Sequence, residues 1–342
     1  MSKLSFLLKN NCYIIAEAGL NHNGSVEIAR KLIDVAAVAG VDAVKFQKRT
    51  VEKLAVNAIL DAKDERFPEF GSTYREIRNH LEFNASQYTE LKAYAESKGL
   101  DFIVTAFDTD AVDFLLGVGV QRFKLASHSL TNLGLLEYLA EKAKPTILST
   151  GMSDFDEIDR AVEIFAGRKA PLALMHCVSS YPTPLDECNL AMLGVLKQRY
   201  GLMVGYSGHE IGYLPTIVAV ARGAQLVERH FTLSKTMVGF DHKMSLEPAE
   251  LISMTRDIRS VPGIVGDGQK GVSQTEWITR RKYHVSMASA VEIGAGTTLT
   301  EAMVNYRNPG TGIPYKDAHT VIGKRARKTI PTDELLSADM FE

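Results

Sequence analysis

The chain has 342 residues, 45% of them apolar and 23% charged, and its 39 basic and 41 acidic side chains leave a formal net charge of −2. That length exceeds one small domain and suits a barrel of roughly 250 residues with a small appendage. The balanced charge speaks against a global polyanion-binding surface, no apolar run approaches the roughly 18 residues of a membrane span, and three cysteines (Cys12, Cys177 and Cys188) are too few for a disulfide framework.

Eight short apolar runs follow along the first two-thirds of the chain: CYIIAEAG, DAVKFQK, DFIVTAF, RFKLAS, PTILSTGM, LALMHCVSS, MVGYSGH and LVERHF. Each stops on polar or charged side chains. In order these are Glu17, Lys45 and Gln47, Thr105, Lys124 and Ser127, Ser149 and Thr150, His176 and Ser179, Ser207 and His209, then Glu228 and His230. Segments with helical spacing, such as VEIARKLIDVAAVAG and ASQYTELKAYAESKG, lie between them. Near-continuous apolar runs alternating with amphipathic helices predict a parallel sheet covered on both faces. Eight such units predict an α/β fold, a closed (β/α)8 barrel of the TIM type with its active site on the carboxyl rim.

The longest irregular insertion spans 50–80, after the second strand, where a long loop on the rim is expected to be functional or mobile. SLEPAELISMTRDIRS (245–260) reads as the helix closing the last unit, and the glycine-rich VPGIVGDGQKGVSQ as a linker. The expected divisions are a barrel over 1–262, a linker over 263–283 and a small β-rich domain over 284–342, whose helical hints are the one-turn TEAM and TDELL. A piece that small buries modest area and is marginal alone. The basic clusters ITRRKYH (278–284) and GKRARK (323–328) read as solvated surface or a subunit contact rather than a nucleic-acid module. The start, MSKLSFLLKNNC, lacks a long apolar segment and a small-residue cleavage site, and Cys12 and Cys177 fall within predicted strands as buried free thiols, so a reducing, cytoplasmic setting without membrane attachment is expected.

His209 and His230 end the seventh and eighth strands, and neighbouring strands lie roughly 4.8 Å apart, so their imidazoles are positioned to share one divalent ion. Residues two apart share a strand face, which points Glu228 with His230 and Ser207 with His209. Two histidines with water or substrate completing the shell make an open, catalytic-type metal site; the alternative is a hydrogen-bonded pair without metal. His22, in LNHNG, reads equally as a site or a loop-ordering residue. Lys45 and Lys124 need an anionic partner on the rim, protein or substrate, and Glu17 accounts for only one of them. Hydroxyls at Thr105, Ser127, Ser149, Thr150, Ser179 and Ser207 around such lysines suit a phosphate or a phosphorylated enol acid. Asp241, beside His242, reads as acceptor for a sugar hydroxyl, as orienter of a ligating histidine, or as an acid in a glycine-flanked turn.

The ordered segments EAGLNHNG, VKFQ, FKLAS, ILSTGM, HCVSSYPTP, GYSGHE, ERHFT and DHKMSLEP closely resemble the sialic acid synthase family. These nonulosonic acid synthases make N-acetylneuraminate, legionaminate or pseudaminate. The resemblance spans essentially the whole chain, and the final segment resembles the antifreeze-like (SAF, β-clip) domain that follows the family's barrel. It implies condensation of phosphoenolpyruvate with the aldehyde of an N-acylated hexosamine, dependent on manganese or magnesium. By the same resemblance His209 and His230 hold the metal, and Lys45 and Lys124 take the phosphoenolpyruvate carboxylate. Thr105, Ser127, Ser149, Ser179 and Ser207 surround its phosphate, while Glu17, Gln47, Phe107, Tyr181 and Asp241 match positions at the metal or substrate. Arg307, in NYRNPGTG, matches an arginine reaching the sugar's N-acyl group in a partner subunit, implying a domain-swapped homodimer.

Two places depart from the family pattern. KLASHSLTN carries His128 and Ser129 where many sialate and legionaminate enzymes have glycine and an acid, and Asn308 is extra before its proline. GYSGHE and DHKMSLEP look more like sialate and legionaminate enzymes than pseudaminate ones, so N-acetylmannosamine or a close analogue is the expected acceptor. Legionaminate or pseudaminate synthesis from a diacetamido-dideoxy hexose is the alternative. From the residues alone, a metal-free Schiff-base aldolase through Lys124 also remains open. A metal-dependent amidohydrolase fits less well, because the first strand offers Glu17 rather than a His-x-His pair. A non-enzymatic binding module has no use for a rim of this chemistry.

Overall fold

The computed structural model describes Leu4 and residues 11–342, so the reading of the amino-terminal segment lies outside the described residues apart from Leu4, Asn11 and Cys12. Eight parallel strands close into one barrel in chain order: β1 (Tyr13–Gly19), β2 (Ala43–Lys48), β3 (Asp101–Ala106), β4 (Arg122–Leu125), β5 (Thr146–Ser149), β6 (Leu172–Cys177), β7 (Met203–Gly208) and β8 (Leu226–His230). A helix packs outside after each strand, beginning with Val26–Ala39 and ending with Pro248–Val265. In the first helix Ser25 caps the start by accepting from the Ile28 amide, and Ala29, Leu32, Ile33 and Ala36 form the buried stripe. The (β/α)8 barrel expected from the eight runs is present.

The period-2 alternation of the strands separates two cores. Outward residues such as Ile14, Val44, Phe46, Val104, Phe123, Leu148 and Leu174 join the helices in one apolar layer. Inward residues Tyr13, Ile15, Ala43, Ile103, Ile147, Ala173, Met175 and Leu226 form a separate plug inside the barrel. Two residues further along the same strands, the inward face turns polar. Ile15 is followed by Glu17, Ala43 by Lys45, Ile103 by Thr105, Ile147 by Ser149 and Leu226 by Glu228. The pairings Glu17↔Lys45, Thr105↔Lys124, Ser207↔Glu228 and Glu17↔His230 bring this polar layer to one level.

Three readings differ from the structure. The insertion over 50–80 is ordered rather than irregular. It carries helices at Asn57–Leu60 and Tyr74–His80, and Phe67, Phe70 and Phe240 pack on Leu20, Ile77 and Leu81. The closing helix starts at Pro248, because Leu246 still pairs alongside Phe231, and it continues to Val265 through Pro262. The segment read as a linker contains a helix at Gln274–Tyr283, started by a reciprocal Ser273–Glu276 capping box that the surrounding glycines obscure.

The first compact unit ends at Gly266, and a second spans Asp267–Glu342. The second has its own core of Met287, Ile293, Leu299, Val321, Ala326, Ile330, Leu336 and Phe341 around an antiparallel pair, β9 (Ser286–Ser289) and β10 (Val304–Arg307). TEAM contains the expected short turn of helix at Glu301–Met303; TDELL does not, since Asp333 has φ of 66° and Leu335 bridges to Ala288.

One charged residue lies on the outer face of β8. Arg229 is buried against Glu210 and donates to the carbonyls of Glu210 and Gly212 at 2.6 and 2.7 Å, which pins the turn after His209. Arg229→Met should destabilise the fold by about 3–5 kcal/mol, because Glu210 would be left buried without its counterion. Denaturant unfolding measures this, and a loss below about 1 kcal/mol would mean the pair does not hold the turn.

Candidate active site

The polar layer opens into a cavity of about 270 Å³ on the carboxyl rim. Thirteen of the fifteen residues to which the family resemblance assigns a site role line it: Glu17, Lys45, Gln47, Thr105, Phe107, Lys124, Ser127, Ser149, Ser179, Tyr181, Ser207, His209 and His230. Asp241 is not among the lining residues, and its Oδ2 lies 3.7 Å from His230 Nδ1. Arg307 belongs to the second unit, where it is half-exposed and donates to Asp333 at 2.6 Å. Thr150 is turned away and donates to the Met175 carbonyl, and His176 Nε2 meets the Cys188 carbonyl. His22 orders its loop: Nδ1 accepts from the Gly24 amide and the ring stacks on Phe83. His242 is likewise held between Thr232 and Asn23.

Four buried charges form the centre. Lys45 Nζ lies 2.9 Å from Glu17 and 3.5 Å from Glu228, and Lys124 Nζ lies 3.6 Å from the same Glu228 oxygen. The expectation that one glutamate leaves positive charge over is therefore corrected, since Glu228 serves as a second counterion and the quartet is formally neutral. Burial alone would depress the Lys45 ammonium, but Glu17 and Glu228 outweigh it and hold it above its ordinary value. Lys124 has only Glu228 close by, so burial wins and its ammonium lies below the usual lysine range. Burial opposes charge on Glu228, yet Lys124 and Lys45 hold its carboxyl down to about 2.

Hydrogen bonds fix the rest. Lys45 donates to Thr105 at 2.8 Å, Gln47 to Glu17 at 2.6 Å and Ser207 to Glu228 at 3.3 Å. Gly19, at φ of 54°, carries the chain around Glu17, where a side chain would press on Gln47 and the carboxylate at 3.2 Å. Gly151 was not flagged by the sequence. Its amide donates to Ser127, and a Cβ there would lie 2.5 Å from the Ser179 hydroxyl and 2.9 Å from that of Ser127. Bare backbone thus leaves a cradle between the two serines, and the buried Ser149 hydroxyl makes no hydrogen bond among the described residues. Cys177, Met152, Glu228 and His128 also line the cavity.

The two rim imidazoles have ring centroids 5.5 Å apart. His209 Nδ1 lies 3.0 Å from the Val178 carbonyl, which can only accept, so the proton sits on Nδ1 and Nε2 keeps its lone pair. Burial, and then His230, push the His209 ring down to about 3, which leaves it neutral at physiological pH. His230 Nδ1 is buried and makes no hydrogen bond among the described residues. These nitrogens suit a divalent cation, although no group of three or more His, Cys, Asp or Glu ligands occurs among the described residues. Protein alone would supply an incomplete shell.

A sequence model described as the NeuB family matches residues 32–270, and a SAF domain model matches residues 285–342. The chain belongs to the NeuB family. It is 35% identical over 336 residues to the N-acetylneuraminate-9-phosphate synthase of Mus musculus, covering 98% of this chain and 94% of that protein. It is 36% identical over 330 residues to the N,N'-diacetyllegionaminic acid synthase of Campylobacter jejuni, covering 94% of this chain and 98% of the other. The solved N-acetylneuraminic acid synthetase of Leptospira borgpetersenii is 34% identical with a TM-score of 0.68, covering 79% of this chain and 90% of that one. NeuB-family relatives are thus named for different acid products, and identities near 35% do not separate them.

Glu228→Gln should cost about 3–5 kcal/mol at pH 7, since it leaves two buried ammonium groups with one carboxylate. The folded-state carboxyl lies below its unfolded value of 4.5, so this stabilisation is present at neutral pH and lost as pH falls towards 2. Urea titrations across that range should show the gap between wild type and variant closing with acid. A gap that is independent of pH would contradict the ion-pair account.

Proposed function

We propose that this NeuB-family protein is a nonulosonic acid synthase, joining phosphoenolpyruvate to the aldehyde of an N-acylated hexosamine. The products are a nine-carbon 2-keto acid of the sialic type and inorganic phosphate. One observation carries the reading: two buried lysines and a ring of hydroxyls stand beside a neutral, lone-pair-bearing histidine in one cavity of the carboxyl rim. In this reading Lys45 and Lys124 hold the carboxylate of phosphoenolpyruvate, and Thr105, Ser127, Ser149, Ser179 and Ser207 bind its phosphate. The open approach at Gly151 gives the phosphate room between two serines.

His209 and His230 are the residues that would hold a divalent ion, manganese or magnesium, with the Asp241 carboxylate beside the same His230 nitrogen. Such an ion supplies polarisation of the acceptor aldehyde. Carbon 3 of the enol bonds to the aldehyde carbon as the carbonyl π pair moves onto the aldehyde oxygen, which takes up a proton to become a hydroxyl, and water adds to carbon 2. Glu17, fixed by Gln47 and Lys45, orients that water and takes its proton. The adduct loses phosphate by breaking its carbon–oxygen bond, assisted by the lysine and hydroxyl donors. Tyr181, ring to ring with His209 at 4.1 Å, stands at the mouth and screens the reacting carbon from bulk water.

A second reading draws on one observation, the lowered Lys124 ammonium, which is what an imine-forming aldolase lysine requires. Borohydride trapping of a pyruvate adduct on Lys124, with activity surviving chelation, would select it over the synthase.

Phosphate release from phosphoenolpyruvate should depend on both a divalent metal and an N-acyl hexosamine, with mass spectrometry detecting one keto acid per phosphate. His230→Ala should remain folded and lose this activity; unchanged turnover would remove the imidazole pair from the reaction. We further infer that Arg307 serves the sugar in a partner subunit of a homodimer. Arg307→Ala should raise the KM for the sugar about tenfold with little effect on that for phosphoenolpyruvate, as expected for a lost hydrogen bond from a charged donor. Mixing it with His230→Ala should restore part of the activity, and equal effects on both substrates would dismiss the intersubunit role.

A further inference from the structure

The segment after β8, residues 232–245, brings one acid to the rim without fastening it. Asp241 Oδ2 stands 3.7 Å from Nδ1 of His230. Among the described residues nothing hydrogen-bonds to that carboxylate, so its place is set by the backbone of the turn that carries it. Two groups hold this backbone. On one side Ser245 donates to the Asp241 carbonyl at 2.6 Å and is itself held by Asn21 at 2.8 Å. On the other stands Asn23, in the loop after β1 and 219 positions from His242, which it touches.

The partners of Asn23 fix the direction of its amide. Nδ2 donates to the Val238 carbonyl at 2.8 Å, which turns Oδ1 toward His242 Nε2 at 3.1 Å. An amide oxygen only accepts, so Nε2 carries the ring proton and Nδ1 keeps its lone pair. Thr232 completes the set by donating to Nδ1 at 2.7 Å. Burial lowers the His242 imidazole, against the pull of Asp241 and the Val238 carbonyl, which agrees with a single ring proton. From the 50–80 insertion, His80 Nε2 donates to the Asn23 carbonyl at 3.2 Å. The backbone permits this approach. Asn23 has φ of 51°, a left-handed conformation that asparagine adopts more readily than most residues. Gly239, at φ of 151°, has no side chain, and a Cβ there would lie 2.7 Å from the His242 ring and 3.0 Å from Asn23 Oδ1. Next along the chain, Phe240 packs on Phe67 at 4.5 Å, so the insertion braces the residue beside Asp241 as well.

We propose that Asn23 is a positioning residue: its amide, seated between Val238 and His242, sets the Asp241 carboxylate beside His230 and so strengthens the grip of the imidazole pair on a divalent cation. This rests on the synthase reading for the assignment of His209 and His230 to a cation, and it adds the residue that places the nearby charge. A carboxylate held next to a ligating ring raises the attraction of the site for a cation without becoming a ligand. Loss of the amide frees the turn at Val238 and His242, and the untethered carboxylate moves with it. An Asn23 that only stabilised the fold would change unfolding and leave cation affinity unaltered.

The test is a double-mutant cycle on the full chain with Asn23→Gly, Asp241→Asn and the two combined. Glycine keeps the left-handed backbone and the His80 contact while removing only the amide, so this variant should stay folded, which urea unfolding checks. Manganese affinity by calorimetry should fall about tenfold in each single variant, the size typical of a group that supports a metal ligand. The combined variant should lose no more than the weaker-binding single one, because both changes act through one carboxylate. Losses that multiply to about a hundredfold, or an Asn23→Gly affinity within about twofold of wild type, overturn the proposal. Wild type that binds no manganese also overturns it, and phosphate release with magnesium would then leave the synthase reading standing. Wild type that binds manganese but releases no phosphate from phosphoenolpyruvate across a panel of N-acyl hexosamines rejects the synthase reading, and the cycle alone then decides the role of Asn23.

Discussion

Glu17, Lys45, Glu228 and Lys124 place four charges where little water reaches, and their desolvation is tolerable only because each ammonium faces a carboxylate within 3.6 Å. Much of the barrel's construction serves that requirement. The apolar plug of Tyr13, Ile15, Ile103, Ile147 and Leu226 closes the floor beneath the quartet. Strand pairing sets Glu17 beside Lys45 and Ser207 beside Glu228 without loops intervening. The quartet is neutral by itself, and unequal sharing of Glu228 leaves Lys124 the less satisfied ammonium.

The rim above is held by polar contacts that take no part in the chemistry. Asn21 donates to the Phe231 carbonyl and to Ser245, tying the first loop to the last. His242 bridges Thr232 and Asn23, and Arg229 clamps the turn that carries His209. Such supports matter because a reacting group displaced by a fraction of an ångström loses much of the advantage of being held in place. They also explain why GYSGHE and ERHFT contain two kinds of residue: His209, Glu228 and His230 face the cavity, while Glu210 and Arg229 lock the scaffold behind it.

The barrel was legible because buried parallel strands are written as continuous apolar runs that stop abruptly, and the stops fall on one rim. The imidazole pair and the hydroxyl ring follow from the same alternation. Glu228 as second counterion was not legible, since its reach to both lysines depends on barrel closure and strand pairing rather than on its neighbours in sequence. The contact between Asn23 and His242 escaped for a related reason. They are 219 positions apart and meet only because barrel closure sets the first rim loop against the last. Gly151 gives no signal beyond its absence of a side chain, and the Ser273–Glu276 capping box was masked by glycines that read as a linker.

The proposed synthase reaction requires water to reach the enol carbon of phosphoenolpyruvate and not phosphorus. Phosphoenolpyruvate carrying heavy oxygen at its bridging position tests this most directly, with both products read by mass spectrometry. Label recovered in inorganic phosphate is the result this account predicts. Label retained in the keto acid would place the attack on phosphorus and contradict it.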